Sequence, residues 1–125
     1  MEDNKERMAR AVADFETFID LLADDVVWTI VGSTPFSRTY RDKATLLAKV
    51  LRPLLALIDG PFRATVTRML ADGDHVVVEA RGANLLRDGR RYDNSYCWVV
   101  RFANGKIAEL TEYLDTALVM KTFGR

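Results

Sequence analysis

Near the C-terminal end of this chain, Tyr92, Asn94, Tyr96 and Trp98 recur at every second residue, so on a strand all four side chains project from one sheet face. A face built only to pack on a helix is normally aliphatic. Rings mixed with an amide suit the wall of a small-molecule pocket, because rings stack on a flat ligand and an amide both donates and accepts. On the next strand Glu112 stands between Leu110 and Leu114 on one face. An acid in that setting is either an exposed edge residue or a carboxyl inside an apolar cavity. Inside a cavity, desolvation disfavours the charged form and raises the pKa, which suits general acid or base work near neutrality. Glu112 is therefore the candidate catalytic residue, and its bland counterpart is an ion pair or hydrogen bond that closes the sheet.

The candidate substrate-binding residues are Trp28, Tyr40, Asn84, Asn94, Tyr96 and Trp98. Asn84 and Asn94 fall on neighbouring strands, each on the expected pocket face, where an amide can hold a ligand carbonyl or hydroxyl. The bland alternative is a core whose amides bond to each other or to water. Trp28 alternates with Val26 and Ile30 and either walls the cavity or fills the core. Tyr40 lies in the loop before the main helix, at the expected mouth, as a gate or a packing anchor. Asp115 directly precedes Thr116-Ala117-Leu118 and reads as a helix cap. Arg101 falls on the face opposite Tyr96 and Trp98, and His75 follows a Gly-Asp turn at an exposed strand start.

The elements that must position these groups follow from periodicity. Residues Lys5 to Ala23 read as helix, with Phe15, Phe18, Ile19 and Leu22 on one stripe and Asp14 able to cap a second helix after a bend. Val26 to Val31 is a strand, Gly32 to Pro35 a turn, and Phe36 to Arg41 an irregular loop. Asp42 opens a helix to Ile58 that Pro53 should kink or shorten. Four strands then follow in a meander: Phe62 to Ala71, His75 to Leu86, Arg91 to Ala103, and Ile107 to Leu114 after the Asn104-Gly105 turn. A short helix runs to Phe123. Helices followed by an antiparallel sheet imply an α+β fold with the helices on one face.

Composition bounds the function. At 125 residues with 49% hydrophobic content the chain makes one domain, spanning residues 1–125, with a sizeable core. Lys plus Arg and Asp plus Glu both number 18, so no strong basic field points to nucleic acid. The Arg87, Arg90, Arg91 cluster is local to a turn. The single Cys97 cannot form an internal disulfide and reads as a small buried hydrophobe in an apolar strand. One His and one Cys offer no zinc site. No apolar run is long enough for a membrane span, and the charged first ten residues lack the apolar core of a signal peptide, so a cytoplasmic protein is expected.

The order of elements, with Ala23-Asp24-Asp25-Val26-Val27-Trp28 closing the first helices, Gly105-Lys106-Ile107 after a hairpin and Glu112-Tyr113-Leu114-Asp115 near the end, resembles the nuclear-transport-factor-2-like superfamily. Within it the chain is most similar to the SnoaL-like group of polyketide cyclases, with ketosteroid isomerases and limonene epoxide hydrolases as relatives. The resemblance implies a cone-shaped roll: a curved, mostly antiparallel sheet wraps a pocket closed by N-terminal helices, and many members dimerise through the sheet. It also places Glu112 where the epoxide hydrolases have a catalytic carboxylate. Two departures stand out. Gly82 and Asn84 occupy the positions of that family's arginine and neighbouring aspartate. Thr29 and Ile30, not an aspartate, precede Val31-Gly32, where ketosteroid isomerases carry their base.

The expected function is thus a small-molecule pocket protein. One form is a cofactor-independent isomerase, cyclase, or hydratase/hydrolase in which Glu112 shuttles a proton on an apolar carbonyl-type substrate while Asn84, Asn94 or Tyr96 stabilises an enolate-like oxygen. A second is a non-catalytic binding module for a small apolar or aromatic ligand. A third is a dimerisation domain, favoured if Trp28, Tyr96 and Trp98 themselves fill the cavity. The expected partners are that ligand and a second copy of the chain, paired as a homodimer through the sheet, with no nucleic acid and no membrane.

Overall fold

The structure, a computed structural model, describes residues 2–124. Helix α1 (Asn4–Ala13) starts at a capping box: the Asp3 carboxylate accepts from the Glu6 N–H at 2.8 Å, and Glu6 returns a bond to the Asp3 N–H. The chain breaks at Asp14, which caps α2 (Phe15–Leu21) and thereby turns the Phe15, Phe18 and Ile19 stripe onto the sheet. The predicted bend is present. The helix ends earlier than its periodicity suggests, because Leu22 is already extended and begins β1 (Leu22–Ile30), pairing with Ile107.

Residues 36–41, expected to be irregular, contain β2 (Arg38–Tyr40), which pairs antiparallel with the end of β1. The following helix is α3 (Lys43–Leu46), a π-helical turn over Leu47–Leu51, and α4 (Arg52–Leu57). Pro53 explains the interruption. It has no N–H to give the preceding turn, and the Arg52 N–H reaches back five residues to the Leu47 carbonyl.

Strands β3 (Ala64–Asp72), β4 (His75–Gly82), β5 (Ser95–Ala103) and β6 (Lys106–Leu114) form the meander, and α5 (Thr116–Phe123) closes the chain. The Asn104-Gly105 turn has positive φ at both residues (53° and 74°), as the tight hairpin requires. The six strands make one sheet in the order β2-β1-β6-β5-β4-β3, antiparallel except where β1 runs parallel to β6. Register shifts within β1, β3 and the β5–β6 pair bend it into an open, curved wall. This is the α+β cone.

β4 and β5 are shorter than the sequence suggests, stopping at Gly82 and starting at Ser95. Between them residues 83–94 lie outside the two strands but keep the hairpin through scattered backbone bonds, from the Gly82 N–H to the Asn94 carbonyl, the Tyr92 N–H to the Asn84 carbonyl and the Leu86 N–H to the Arg90 carbonyl, with the Asp93 carboxylate taking the Asn84 N–H. Burial nevertheless alternates from Tyr92 through Phe102, so Tyr92, Asn94, Tyr96, Trp98 and Val100 do share the concave side. That side packs on Met8, Phe18, Ile19, Leu46 and Leu51 from the helices. The convex side carries the Arg68–Glu79 and Arg101–Glu109 ion pairs, and Cys97 lies there half-buried rather than fully buried, since the strand's parity turns it outward. Among the described residues no helix is long and apolar enough to cross a membrane.

Candidate functional site

Glu112 points inward. On β6 it lies opposite Trp98 of β5 and beside Ile30 of β1, and Trp28 stands one pleat away on the same face. The Trp98 Nε1–H donates to Glu112 Oε2 at 2.9 Å, and the Trp28 Nε1–H donates to Oε1 at a looser 3.4 Å. The carboxyl is buried, and among the described residues no cation pairs with it. Desolvation raises its pKa above the ordinary 4.5, and the two indole donors oppose that rise without cancelling it. An indole can only donate. When Glu112 is protonated, its O–H must therefore turn away from both tryptophans and towards the space in front of them.

That space is a cavity of about 50 Å³ with almost wholly apolar walls. Tyr96 stacks on Trp98 with ring centroids 4.9 Å apart and 19° between planes. Phe15 and Phe62 close one side, their centroids 4.8 Å apart. Phe36, Leu54 and Phe123, each partly exposed, form the rim, with Phe123 edge-on to both Phe36 and Tyr92. Tyr92 also reaches the cavity; burial lifts its phenol to about 12, and burial likewise lifts Tyr96 well above its usual value. Both therefore stay neutral hydroxyl groups across ordinary pH.

Of the residues singled out from sequence, Glu112, Trp28, Tyr96 and Trp98 converge on this cavity. Asn84, Asn94 and Tyr40 are not among the residues that line it. The Asn84 amide accepts from the Arg63 backbone N–H at 2.8 Å and donates to the Arg63 carbonyl at 3.0 Å, tying the start of β3 to the end of β4. Asn94 accepts from the backbone N–H groups of Ser95 and Asp115 and donates to the Tyr92 hydroxyl and the Asp115 carbonyl. The Asn94 amide is fully engaged, the Asn84 oxygen and one of its N–H donors are tied to the Arg63 backbone, and neither side chain lines the cavity. Tyr40 sits on β2, not in a loop, and its hydroxyl donates to the Phe36 carbonyl at 2.8 Å. It anchors packing. Asp115 caps α5 by accepting from the Leu118 N–H, and His75 is exposed beside Asp74. Among the described residues no group of three His, Cys, Asp or Glu side chains gathers to hold a metal ion.

Residues 6–110 match the SnoaL-like domain. The chain belongs to the SnoaL-like family. No match was found among proteins of curated function. Solved structures similar to this SnoaL-like domain share its fold at low identity. An NTF2-like protein of Burkholderia thailandensis is 24% identical over 97% of both chains, with a TM-score of 0.78. A Catenulispora acidiphila protein with a ketosteroid isomerase-like fold, solved with trimethylamine, is 16% identical over 94% of this chain and 89% of that one, with a TM-score of 0.69. A candidate SnoaL-like polyketide cyclase from Jannaschia is 15% identical over 87% and 77%, with a TM-score of 0.66.

The SnoaL-like cone also enlists residues that sequence reasoning left out of the site. Val119 and Phe123 line the cavity from α5, four residues apart, a helical spacing that was available as a signal. Phe36 follows Pro35 outside any periodic run, and Phe62, read as the first residue of a strand, lies just before that strand begins at Ala64. Tyr92 was visible as part of the alternating face but was not placed in the site.

Proposed function

We propose that this SnoaL-like domain binds a small, mainly apolar molecule in the cone and that Glu112 gives or takes a proton at a carbonyl-type ligand, as a cofactor-independent isomerase, cyclase, or hydratase/hydrolase would. One observation carries the reading: a buried carboxyl with no cationic partner among the described residues faces an apolar cavity while two donor-only indoles hold it in place. Its raised pKa moves it towards the range in which proton donation and acceptance are both accessible. In such a step a C–H proton beside the ligand carbonyl passes to Oε1, the oxygen held more loosely. The electron pair moves to the carbonyl oxygen, and the proton returns at another atom. The Tyr92 and Tyr96 phenols, hydrogen-bonded to each other, line the cavity, and one of them is the neutral donor for that oxygen, since Asn84 and Asn94 do not line it.

The test is deuterium uptake from solvent into small apolar ketones that raise the melting temperature. Wild type is expected to exchange the protons beside the carbonyl, and Glu112→Gln to bind the same ketones without exchange. Full exchange by a folded Glu112→Gln protein removes the proposal. The narrow cavity and the loss of both asparagines favour a second reading, a binding module without turnover, which predicts thermal stabilisation by ligand and no exchange in either protein. The outer sheet face, where Val99, Cys97 and the 49% exposed Tyr113 lie, is the surface we propose for pairing with a second copy.

A further inference from the structure

We propose that the Phe15–Phe62 ring pair is a movable partition between the Glu112 cavity and a neighbouring surface cleft, and that the ligand is an apolar body whose acidic end stays at Arg63 in that cleft. The inference rests on the cavity being a ligand site. It begins from a mismatch of size. The cavity holds about 50 Å³, whereas sites for ordinary small ligands run to about 300–1,000 Å³. A second void of about 470 Å³ lies outside it, between the α1–α2 junction and the start of β3. Phe15 and Phe62 line both voids. Moving one ring joins them into a tract of useful size.

These are the two rings that both voids share, and neither is tied down by a hydrogen bond. Trp28 and Trp98 are pinned by Glu112, and Tyr92 by Asn94. Phe15 and Phe62 have no hydrogen bond to break, and they are 9% and 7% exposed against 2% and 1% for Trp28 and Trp98. Both rings also sit beside breaks in regular structure. Phe15 is the first residue after the helix break at Asp14. Phe62 follows Gly60, whose φ is 94°, and Pro61, in a stretch outside helix and strand.

The cleft supplies the chemistry of the outer end. Its charged residues are Asp14 and Arg63. Both Asp14 oxygens are engaged, accepting from the Glu16 N–H at 3.3 Å and the Thr17 hydroxyl at 3.0 Å. Arg63 is exposed and makes no ion pair among the described residues. The Asp14 carboxylate is turned onto the α2 N-terminus, which leaves the Arg63 guanidinium as the group able to pair with a ligand carboxylate.

Both tryptophans of the chain line the cavity, which makes intrinsic fluorescence its reporter. Acrylamide quenching should be weak in wild type and rise clearly in Phe62→Ala, with Phe62→Leu as the milder variant and circular dichroism as the check on folding. Phenylbutyrate should shield the tryptophans of wild type and bind about two- to fivefold more tightly than uncharged phenylbutanol, the worth of one exposed ion pair. Arg63→Gln should abolish that preference. Wild-type quenching in a folded Phe62 variant overturns the partition, and equal binding of the two probes by wild type overturns the acidic end. In both cases shielding by either probe would leave the cavity standing as a ligand site. If neither probe nor any apolar ketone shields the tryptophans, the ligand-site reading itself fails.

Discussion

Replacing Glu112 by Gln tests the electrostatics of the cone in a way that binding assays do not. In wild type both carboxyl oxygens accept an indole N–H, at 2.9 Å and 3.4 Å. An amide of the same shape can accept through its oxygen alone, so keeping the shorter Trp98 bond turns its NH₂ towards the Trp28 donor. One buried donor then lacks an acceptor, which costs about 1–3 kcal/mol. Against this, the variant never buries a charge. Native Glu112 holds its proton more tightly than the unfolded chain does, because its folded pKa is raised above 4.5. The stability it contributes is therefore complete below pH 4.5 and is lost as pH rises through the raised folded value. Each pH unit between those two limits removes about 1.4 kcal/mol from wild type and nothing from the variant. Wild type should thus be the more stable protein in acid, and its advantage should shrink or reverse towards neutral pH.

Urea unfolding followed by circular dichroism, run on both proteins across that pH range, reads the difference directly. Asp42, Glu79, Asp88 and Asp93 have lowered pKa values and impose the opposite pH slope, but they are common to both proteins and cancel. A difference that stays constant with pH would mean that folding does not raise the Glu112 pKa, and the case for proton transfer at this carboxyl would go with it.

Asn94→Ala should destabilise the fold by at least about 1–3 kcal/mol, since the Ser95 and Asp115 N–H groups lose their acceptor; denaturation reads this, and a neutral result would return the amide to the list of ligand contacts. Gly32→Ala should cost more than about 1 kcal/mol, because φ is 97° there and a Cβ would stand 2.8 Å from Thr116 Cγ2. Adding Thr116→Ser should recover the steric part of that loss in a melting experiment and leave the backbone part.

What the sequence disclosed about this cone follows from which physical rule each residue obeys. Alternation on a strand survives local irregularity, so the inward set Tyr92, Tyr96 and Trp98 was legible even though the ladder itself starts only at Ser95. Glu112 was legible for the same reason, its leucine neighbours fixing its face. The asparagines were not, because parity places an amide on a face without saying what it bonds. A strand that ends early leaves backbone groups needing partners, and Asn84 and Asn94 supply them where residues 83–94 depart from the sheet. Gly82 marks that departure: a Cβ there would come within 3.3 Å of the Asn94 carbonyl and the Asn84 amide. Pro53 announced a fault in the helix, but the five-residue reach of the Arg52 N–H depends on how the turn packs and has no sequence period. The rings that bound the cavity split along the same line. Those on strands declared themselves by spacing and Phe15 by its helical stripe, whereas Phe36 sits in a turn after Pro35. Beneath these rings Trp28, Trp98 and Glu112 hold one another in place, so a ring moving at the edge of the cavity need not disturb the carboxyl that parity made legible.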